Sequence, residues 1–181
     1  MPRKTLAFLA AASLSAVCAA QTEAPSPTPP EPASVTAGGK VSGTMTCSKP
    51  DPMHRVDAAD WPGHAAMASR TPCTWTKAAE IAGMTTREGY SVGVADVENT
   101  VTTERGSHVT TMSNGERIYV QYRGKGMLTD KGAPIGSEGT WTFKGGTGDF
   151  ASLQGMGTYR ARANPDGSMS FAIEGNWKIV H

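Results

Sequence analysis

The sequence predicts an all-β domain in which about eight antiparallel strands close into a barrel that carries one disulfide. Three observations favour this fold. The 181 residues, about the length of one domain, show no long helical periodicity, and short runs of alternating polar and apolar residues recur instead. Gly, Asn-Gly and Asp-Gly separate these runs, as turns between strands require. Beyond the N-terminal segment the chain holds an even pair of cysteines.

The first 20 residues predict a secretory signal peptide. Arg3 and Lys4 precede an apolar run of about a dozen residues, and this run is followed by the small residues Cys18-Ala19-Ala20. A helix that crosses a bilayer needs about 20 apolar residues. We therefore expect cleavage near Ala20, an exported protein that is periplasmic or secreted, and no membrane span.

Cys18 leaves an alternative, because a cysteine at the end of an apolar signal can carry the lipid of a bacterial lipoprotein. Leu14 lies one position too early for that pattern, and Val17 occupies a position where Gly, Ala or Ser is usual. Ordinary cleavage is the favoured interpretation. A lipid anchor on Cys18 is the alternative, and it also exports the domain.

Residues 21–39 predict a disordered tether between the signal and the domain. They hold five prolines between Pro25 and Pro32 and few apolar side chains. Such a segment cannot bury enough surface to offset its ordering entropy. The barrel domain is then predicted at residues 40–181.

The charge balance excludes one class of partner. The chain has 17 basic and 16 acidic residues, and removal of residues 1–20, which hold Arg3 and Lys4, leaves a net charge of −1. A near-neutral domain has no basic surface for a phosphate backbone, so we expect no nucleic-acid partner.

Eight strands can be placed along the domain by their alternating pattern. Ser113-Asn114-Gly115 and Asn164-Pro165-Asp166-Gly167 predict two of the hairpin turns. Eight strands are enough to close a barrel with a filled or narrowly hollow interior. The predicted strands are Lys40–Cys47, Cys73–Met84, Gly89–Val97, Glu104–Met112, Glu116–Leu128, Ser137–Phe143, Gly155–Ala163 and Ser168–Ile179.

Cys47 and Cys73 predict a disulfide, since an even pair in an oxidising compartment is normally oxidised. The bridge would pin the segment 48–72, which contains four prolines and is predicted as a long loop. Neither cysteine belongs to a C-x-x-C pair of the kind that binds zinc.

One strand offers candidate ligand-binding side chains. Between Glu116 and Leu128, one face carries polar residues and the other carries Ile118, Val120 and Tyr122. If the polar face lines the barrel, its guanidinium and phenol groups could bind a carboxylate or phenolate. If it faces water it is a solvated strand surface, which is the commoner arrangement in antiparallel sheets. The polar residues are Arg117, Tyr119, Gln121 and Arg123.

A second candidate is the face that carries Tyr90, Val92 and Val94 and ends in the carboxylates of Asp96 and Glu98. At a barrel mouth two such carboxylates could share a proton. The alternative is a strand end that emerges into solvent. With a hollow barrel, Trp75 and Tyr90 are further candidates for contact with a ligand.

Motifs for metals and cofactors are weak. His54, His64 and His108 match no ligand spacing, so we expect no metal site. The glycines at 145–148 precede no Lys-Ser/Thr pair, and no Gly-x-Ser-x-Gly sequence is present. We therefore expect no cofactor and assign no catalytic residue.

The C-terminal half resembles a known superfamily. Trp141-Thr142-Phe143, the turn Gly145-Gly146-Thr147-Gly148-Asp149-Phe150 and the strand Gly155-Met156-Gly157-Thr158-Tyr159 are similar to the allene oxide cyclase and dirigent barrels, including uncharacterised secreted bacterial members. The resemblance covers about residues 137–179. In the turn, glycine permits positive φ and Phe150 is expected to plug the core.

The resemblance implies an eight-stranded barrel, often oligomeric, whose lumen can hold a small apolar or aromatic molecule. In the plant members the barrel steers a cyclisation or a radical coupling. Their pocket residues do not match this sequence position by position, so the resemblance assigns no catalytic role here.

Three functions follow as hypotheses. The first is an exported barrel that binds a small, partly apolar ligand in its lumen. The second is a cyclase or isomerase, which would need a lumenal carboxylate such as Asp96. The third is a non-catalytic structural or interaction protein of the cell envelope, with a solid barrel and an apolar outer surface.

Overall fold

The computed structural model describes residues 34–180, with the side chain of Thr36 excepted. The predictions for residues 1–33, which include the signal peptide, the lipid anchor on Cys18 and most of the tether, lie outside the described residues. A single-turn 3-10 helix at Gly148–Phe150 accompanies the strands. The strands are β1 (Val35–Cys47), β2 (Met53–Asp57), β3 (His64–Lys77), β4 (Glu80–Ile81), β5 (Met84–Glu98), β6 (Val101–Met112), β7 (Arg117–Leu128), β8 (Pro134–Gly146), β9 (Leu153–Ala163) and β10 (Met169–Val180).

Eight of these strands form a closed antiparallel barrel. Each strand from β5 to β10 pairs with the next in sequence, and β10 pairs with β1. β3 closes the circle because it pairs with both β5 and β1. The predicted all-β barrel of eight antiparallel strands with one disulfide is confirmed.

The disulfide joins Cys47 and Cys73, which lie opposite each other on β1 and β3. Both residues are buried. No helix among residues 34–180 combines the length and the apolar character that a membrane crossing needs.

The strand boundaries differ from the prediction at three places. β1 begins at Val35, so the predicted domain start at Lys40 lies inside a strand. The segment 48–72, predicted as a long loop, contains β2 and the first part of β3. The predicted strand Cys73–Met84 ends at Lys77, and β4 and a turn follow before β5 begins.

Pro72 explains why the first part of β3 is predicted as a loop. A proline cannot donate a backbone hydrogen bond, so its presence argues against a central strand. In β3, however, the Pro72 carbonyl accepts from the Ser48 amide, on the side away from β5. The backbone N and O of a strand residue point to the same side of the strand. The Pro72 nitrogen, which has no hydrogen to donate, therefore faces the chain just beyond the end of β1, and the pairing of β3 with β5 loses no hydrogen bond.

The barrel has one closed end and one open end. At the closed end, where β6 ends and β7 begins, apolar side chains that are at most 2% exposed fill the interior. Among them are Ile81, Met112, Ile118, Phe150 and Leu153. The opposite, open end lies where β1 ends at Cys47 and β6 begins.

The glycine-rich turn after β8 belongs to the closed end. Gly145 and Gly148 have φ of 82° and 54°, a region that favours glycine over residues with a Cβ. This reversal returns Phe150 to the core, where its side chain is 1% exposed. The turn therefore has an architectural role in this structure.

Candidate functional site

A cavity of about 260 Å³ occupies the barrel interior, and its lining extends from Ile81 and Ile118 at the closed end to Leu128 and Met169 at the open end. Its walls are mostly apolar and include Met45 on β1, Trp75 on β3 and Phe171 on β10. Ligand pockets in proteins usually have volumes of about 300–1,000 Å³. The cavity therefore suits a small molecule.

The interior is hollow because large aromatic side chains lie along the wall over glycines of neighbouring strands. Tyr159 on β9 lies in one register row with Gly139, Gly124 and Glu104. Its ring passes over both glycines, at positions that a Cβ would occupy. As a result its hydroxyl reaches across two strands to Glu104.

Glu104 and Tyr159 form the central polar contact of the cavity. The Tyr159 hydroxyl donates to Glu104 Oε1 over 2.7 Å. Burial raises the pKa of Tyr159 above its ordinary value, and the negative charge of Glu104 raises it further. The phenol therefore stays protonated and acts as a donor.

Tyr122 adds a second phenol to the same wall. Its side chain reaches over Gly106 and Gly93, in the register row next to that of Tyr159. Burial, together with the charge of Glu104, raises the pKa of Tyr122 to about 12. The two tyrosines thus present neutral phenols to the interior at physiological pH.

His108 is a buried base in the middle of the barrel. Its Nδ1 lies 2.9 Å from Ser91 Oγ, and its Nε2 lies 2.8 Å from Thr110 Oγ1. The Trp75 indole also donates to Thr110 Oγ1. Burial lowers the pKa of His108 to about 4, so the ring is neutral at physiological pH.

The structure places most of the candidate site residues outside the cavity. Arg117, Tyr119, Gln121 and Arg123 on β7 are exposed on the outer face, and Ile118, Val120 and Tyr122 point inward. The polar face of this strand therefore meets water and does not line the lumen. Whether these four residues contact any ligand stays a prediction.

Trp75, Tyr90 and Asp96 are also separated. Trp75 lines the cavity as expected for a lumenal residue. Tyr90 lies on the outer face of β5, with the Arg70 guanidinium carbon 4.7 Å from its ring centroid. Asp96 shares that outer face, and its side chain is 54% exposed.

Asp96 contacts a histidine on the outer face. His64 Nε2 lies 2.9 Å from Asp96 Oδ1, while its Nδ1 lies 2.7 Å from Asp60 Oδ1. The Trp61 ring stacks on the imidazole at 4.1 Å between centroids. The hydrogen bonds that His64 donates to Asp60 and to Asp96 raise the pKa of His64. Asp96 is therefore hydrogen-bonded to His64 on the outer face of the barrel, and a proton shared with Glu98 stays a prediction.

Metal ligands do not come together in the described part of the chain. Among residues 34–180, no three His, Cys, Asp or Glu side chains meet in an arrangement that could hold a metal ion.

The sequence analysis missed the polar residues of the cavity. Glu104 and His108 lie on the inward face of β6, in the same alternating phase as the buried Met112. A carboxylate and an imidazole in phase with a core residue were the available signal. Tyr122 gave a similar signal, because it lies on the apolar face of β7.

Comparisons with known proteins do not add an assignment. No protein-family model matches the chain, and no curated protein matches it. The functional argument therefore rests on the geometry of the cavity.

Proposed function

We propose that this protein is an exported, single-domain β-barrel that binds a small, partly apolar ligand in its interior cavity. The observation that carries the proposal is the cavity itself, which combines mostly apolar walls with a few inward polar groups. Small-molecule sites in proteins usually have this composition. The polar groups are Glu104, His108, Tyr122 and Tyr159.

Two further observations support the proposal. The buried disulfide is compatible with an extracytoplasmic location, because such bridges persist in oxidising compartments. The antiparallel barrel is compatible with the resemblance to the allene oxide cyclase and dirigent superfamily, whose lumen can hold small apolar or aromatic molecules. Membership of that superfamily, export and an oligomeric state belong to the proposal.

Native mass spectrometry of the mature protein from its exported compartment tests the proposal, alongside the same sample denatured. We expect a small molecule that is released on denaturation. For protein without a retained ligand, we expect 1-naphthalenemethanol to bind in calorimetry, because its apolar rings match the cavity walls.

Met67→Trp and Ala68→Trp make a matched pair for that experiment. Met67 lines the cavity near the open end, and Ala68 lies on the outer face of the same strand. Met67→Trp should weaken binding of the alcohol at least about tenfold by occupying the cavity. Equal binding by the two variants, or no retained molecule and no binding by the parent, would contradict the proposal.

An isomerase or cyclase is a second candidate function, and one observation favours it. Glu104 could act as a base and Tyr159 as a hydrogen-bond donor to one small molecule, since the two groups share the cavity. The candidate thus moves from Asp96, which lies outside, to Glu104. Chemical conversion of the retained molecule would separate an enzyme from a binding protein.

The envelope-interaction hypothesis has mixed support. Its solid barrel disagrees with the interior cavity. Its apolar outer surface has a counterpart on β5, where Val92 and Val94 are 49% and 44% exposed. This hypothesis remains a prediction.

A further inference from the structure

The charge of the side chains that line the cavity indicates which class of ligand the cavity would bind. Glu104 is the one charged side chain among the described residues that line the cavity, and none of those residues is Lys or Arg. His108, the other titratable base there, is neutral at physiological pH. The cavity therefore has a negative charge and no positive charge of its own.

Glu104 forms no ion pair within residues 34–180, and its side-chain hydrogen bond comes from the Tyr159 phenol. In register it faces Ala95 on one side and Gly124 on the other, neither of which carries a charge. The neighbouring basic residues Arg105 and Arg123 alternate to the outer face. The structure thus holds this carboxylate beside the cavity without an ion-pair partner among the described residues. Arg123, Lys125 and Arg160 line an outer pocket that Glu104 also touches, but none of them forms an ion pair with it.

At the open end, the basic residue Lys49 lies between the cavity-lining residues Ser48 and Pro50. Lys49 lies there beside Gly167, but its charge acts on Asp166. Hydrogen bonds from Ser168, and then the charge of Lys49, lower the pKa of that carboxyl group. The lysine is therefore balanced by an acid close to it.

Glu104 is half-buried, and a partly buried carboxylate loses part of its hydration, which one phenol replaces only in part. A positively charged ligand would restore favourable electrostatic interaction, whereas an anion would be repelled. The aromatic walls suit the same ligand, because the faces of tyrosine and tryptophan rings attract cations. The tyrosine and tryptophan rings that line the cavity include Tyr122, Tyr159 and Trp75.

We propose that the cavity selects a small protonated organic amine with an apolar body, whose ammonium group pairs with Glu104 and whose body lies against the aromatic wall. This inference rests on the proposed ligand-binding function and names the class of its ligand. It also disfavours carboxylic acids as ligands of this cavity.

Three probes with the same naphthalene body test the inference. They are 1-naphthylmethylamine, 1-naphthalenemethanol and 1-naphthoate, measured by calorimetry on the full mature chain near pH 7. We expect the amine to bind at least about tenfold more tightly than the alcohol, since the ammonium group adds a charge–charge attraction to Glu104 that a neutral hydroxyl lacks. The carboxylate should bind most weakly.

Glu104→Gln and Glu138→Gln form a matched pair of variants. Gln keeps an acceptor for the Tyr159 hydroxyl but removes the charge, so Glu104→Gln should abolish the preference for the amine and leave the alcohol within about twofold. Glu138 is exposed on the outer face, and its variant should keep the preference. If Glu104→Gln does not fold, the ranking of the three probes on the parent protein decides alone.

The outcomes separate this inference from the proposed function. Binding of the alcohol at least as tightly as the amine would overturn the amine inference and leave the ligand-binding function standing. An amine preference that survives in folded Glu104→Gln would also overturn it. Failure of all three probes to bind would overturn the amine inference, and if native mass spectrometry also shows no retained molecule it would contradict the proposed function as well.

Discussion

His108 shows how a single buried residue can couple this barrel to pH. Its imidazole lies between the hydroxyls of Ser91 and Thr110, deep enough that its pKa falls from the ordinary 6.5 to about 4. In the unfolded chain the same ring is exposed and binds a proton more readily. Between pH 6.5 and about 4 the unfolded state therefore binds more protons, and acid favours unfolding.

We expect the free energy of unfolding to fall as pH decreases from 6.5 to about 4, with a contribution from His108 of up to about 3 kcal/mol. His108→Gln removes that contribution, so its stability should decline less over this window. Urea unfolding of both proteins at several pH values measures the difference, with values above pH 6.5 as the internal reference. Parallel pH profiles for the two proteins would refute this role.

Single residues also show which features of the site could be predicted from the sequence and which could not. Trp75 was a candidate for contact with a ligand in a hollow barrel, and it lines the cavity. For Asp96 and Arg123, alternation correctly grouped the neighbours on each face but could not say which face was inside. Which face of a strand lies inside depends on how the whole sheet curves. The apolar residue Val92 was a misleading sign of the inner face, because its side chain is exposed on the outside.

At the scale of the strands, a recurring arrangement places an aromatic side chain over glycines of the adjacent strands. Trp141 on β8 lies over Gly157 and Gly175, and Trp75 lies over Gly43. The missing Cβ atoms leave room for the rings to lie along the wall rather than across the axis. Many of the chain's 21 glycines thus have a packing role in strands, beyond the turns that sequence reasoning assigned to them.

Gly106→Ala tests this arrangement. A Cβ at this position would lie 2.6 Å from the Tyr122 hydroxyl and would clash with the backbone carbonyl of Val92. We expect a loss of about 1–3 kcal/mol in the free energy of unfolding, as for other overpacked sites. Ser107→Ala, at the exposed outer position next to it, is the control. Thermal or urea unfolding gives both values, and equal stability of the two variants would contradict the packing role.

For the whole molecule, closure of the barrel depends on β3. This strand pairs with β5 over most of its length, but with β1 only between Thr44 and Cys47. β1 and β10, in contrast, pair along nearly their full lengths. The disulfide lies at the end of this short β1–β3 junction.

The double variant Cys47→Ala/Cys73→Ala should lower the free energy of unfolding by about 3–4 kcal/mol, because the bridge closes a loop in the unfolded chain. Urea unfolding measures this loss. The parent protein under reducing conditions should match the variant. Two free thiols found by titration of the unreduced protein would show instead that the bridge is absent.

The global fold was more predictable than the site. Strand number, antiparallel order and the disulfide followed from alternation, turn residues and cysteine count, because these are local signals. The pairing of β3 with both β1 and β5 could not be predicted, because a proline normally argues against a central strand. Pro72 is tolerated in β3 because its nitrogen, which has no hydrogen to donate, faces away from β5. The Glu104–Tyr159 contact was hidden for a related reason, because it joins strands that are distant in sequence.

The short junction between β1 and β3 is also a part of the cavity wall. Met45 and Cys47 line the cavity from one side of it, and Met67 and Thr71 line it from the other. Separation of these two strands would therefore create an opening in the side wall of the barrel. The long pairings of β1 with β10 and of β3 with β5 would stay intact. The disulfide covalently joins the two strands at this point, so it secures a part of the cavity wall that backbone pairing holds over only a few residues.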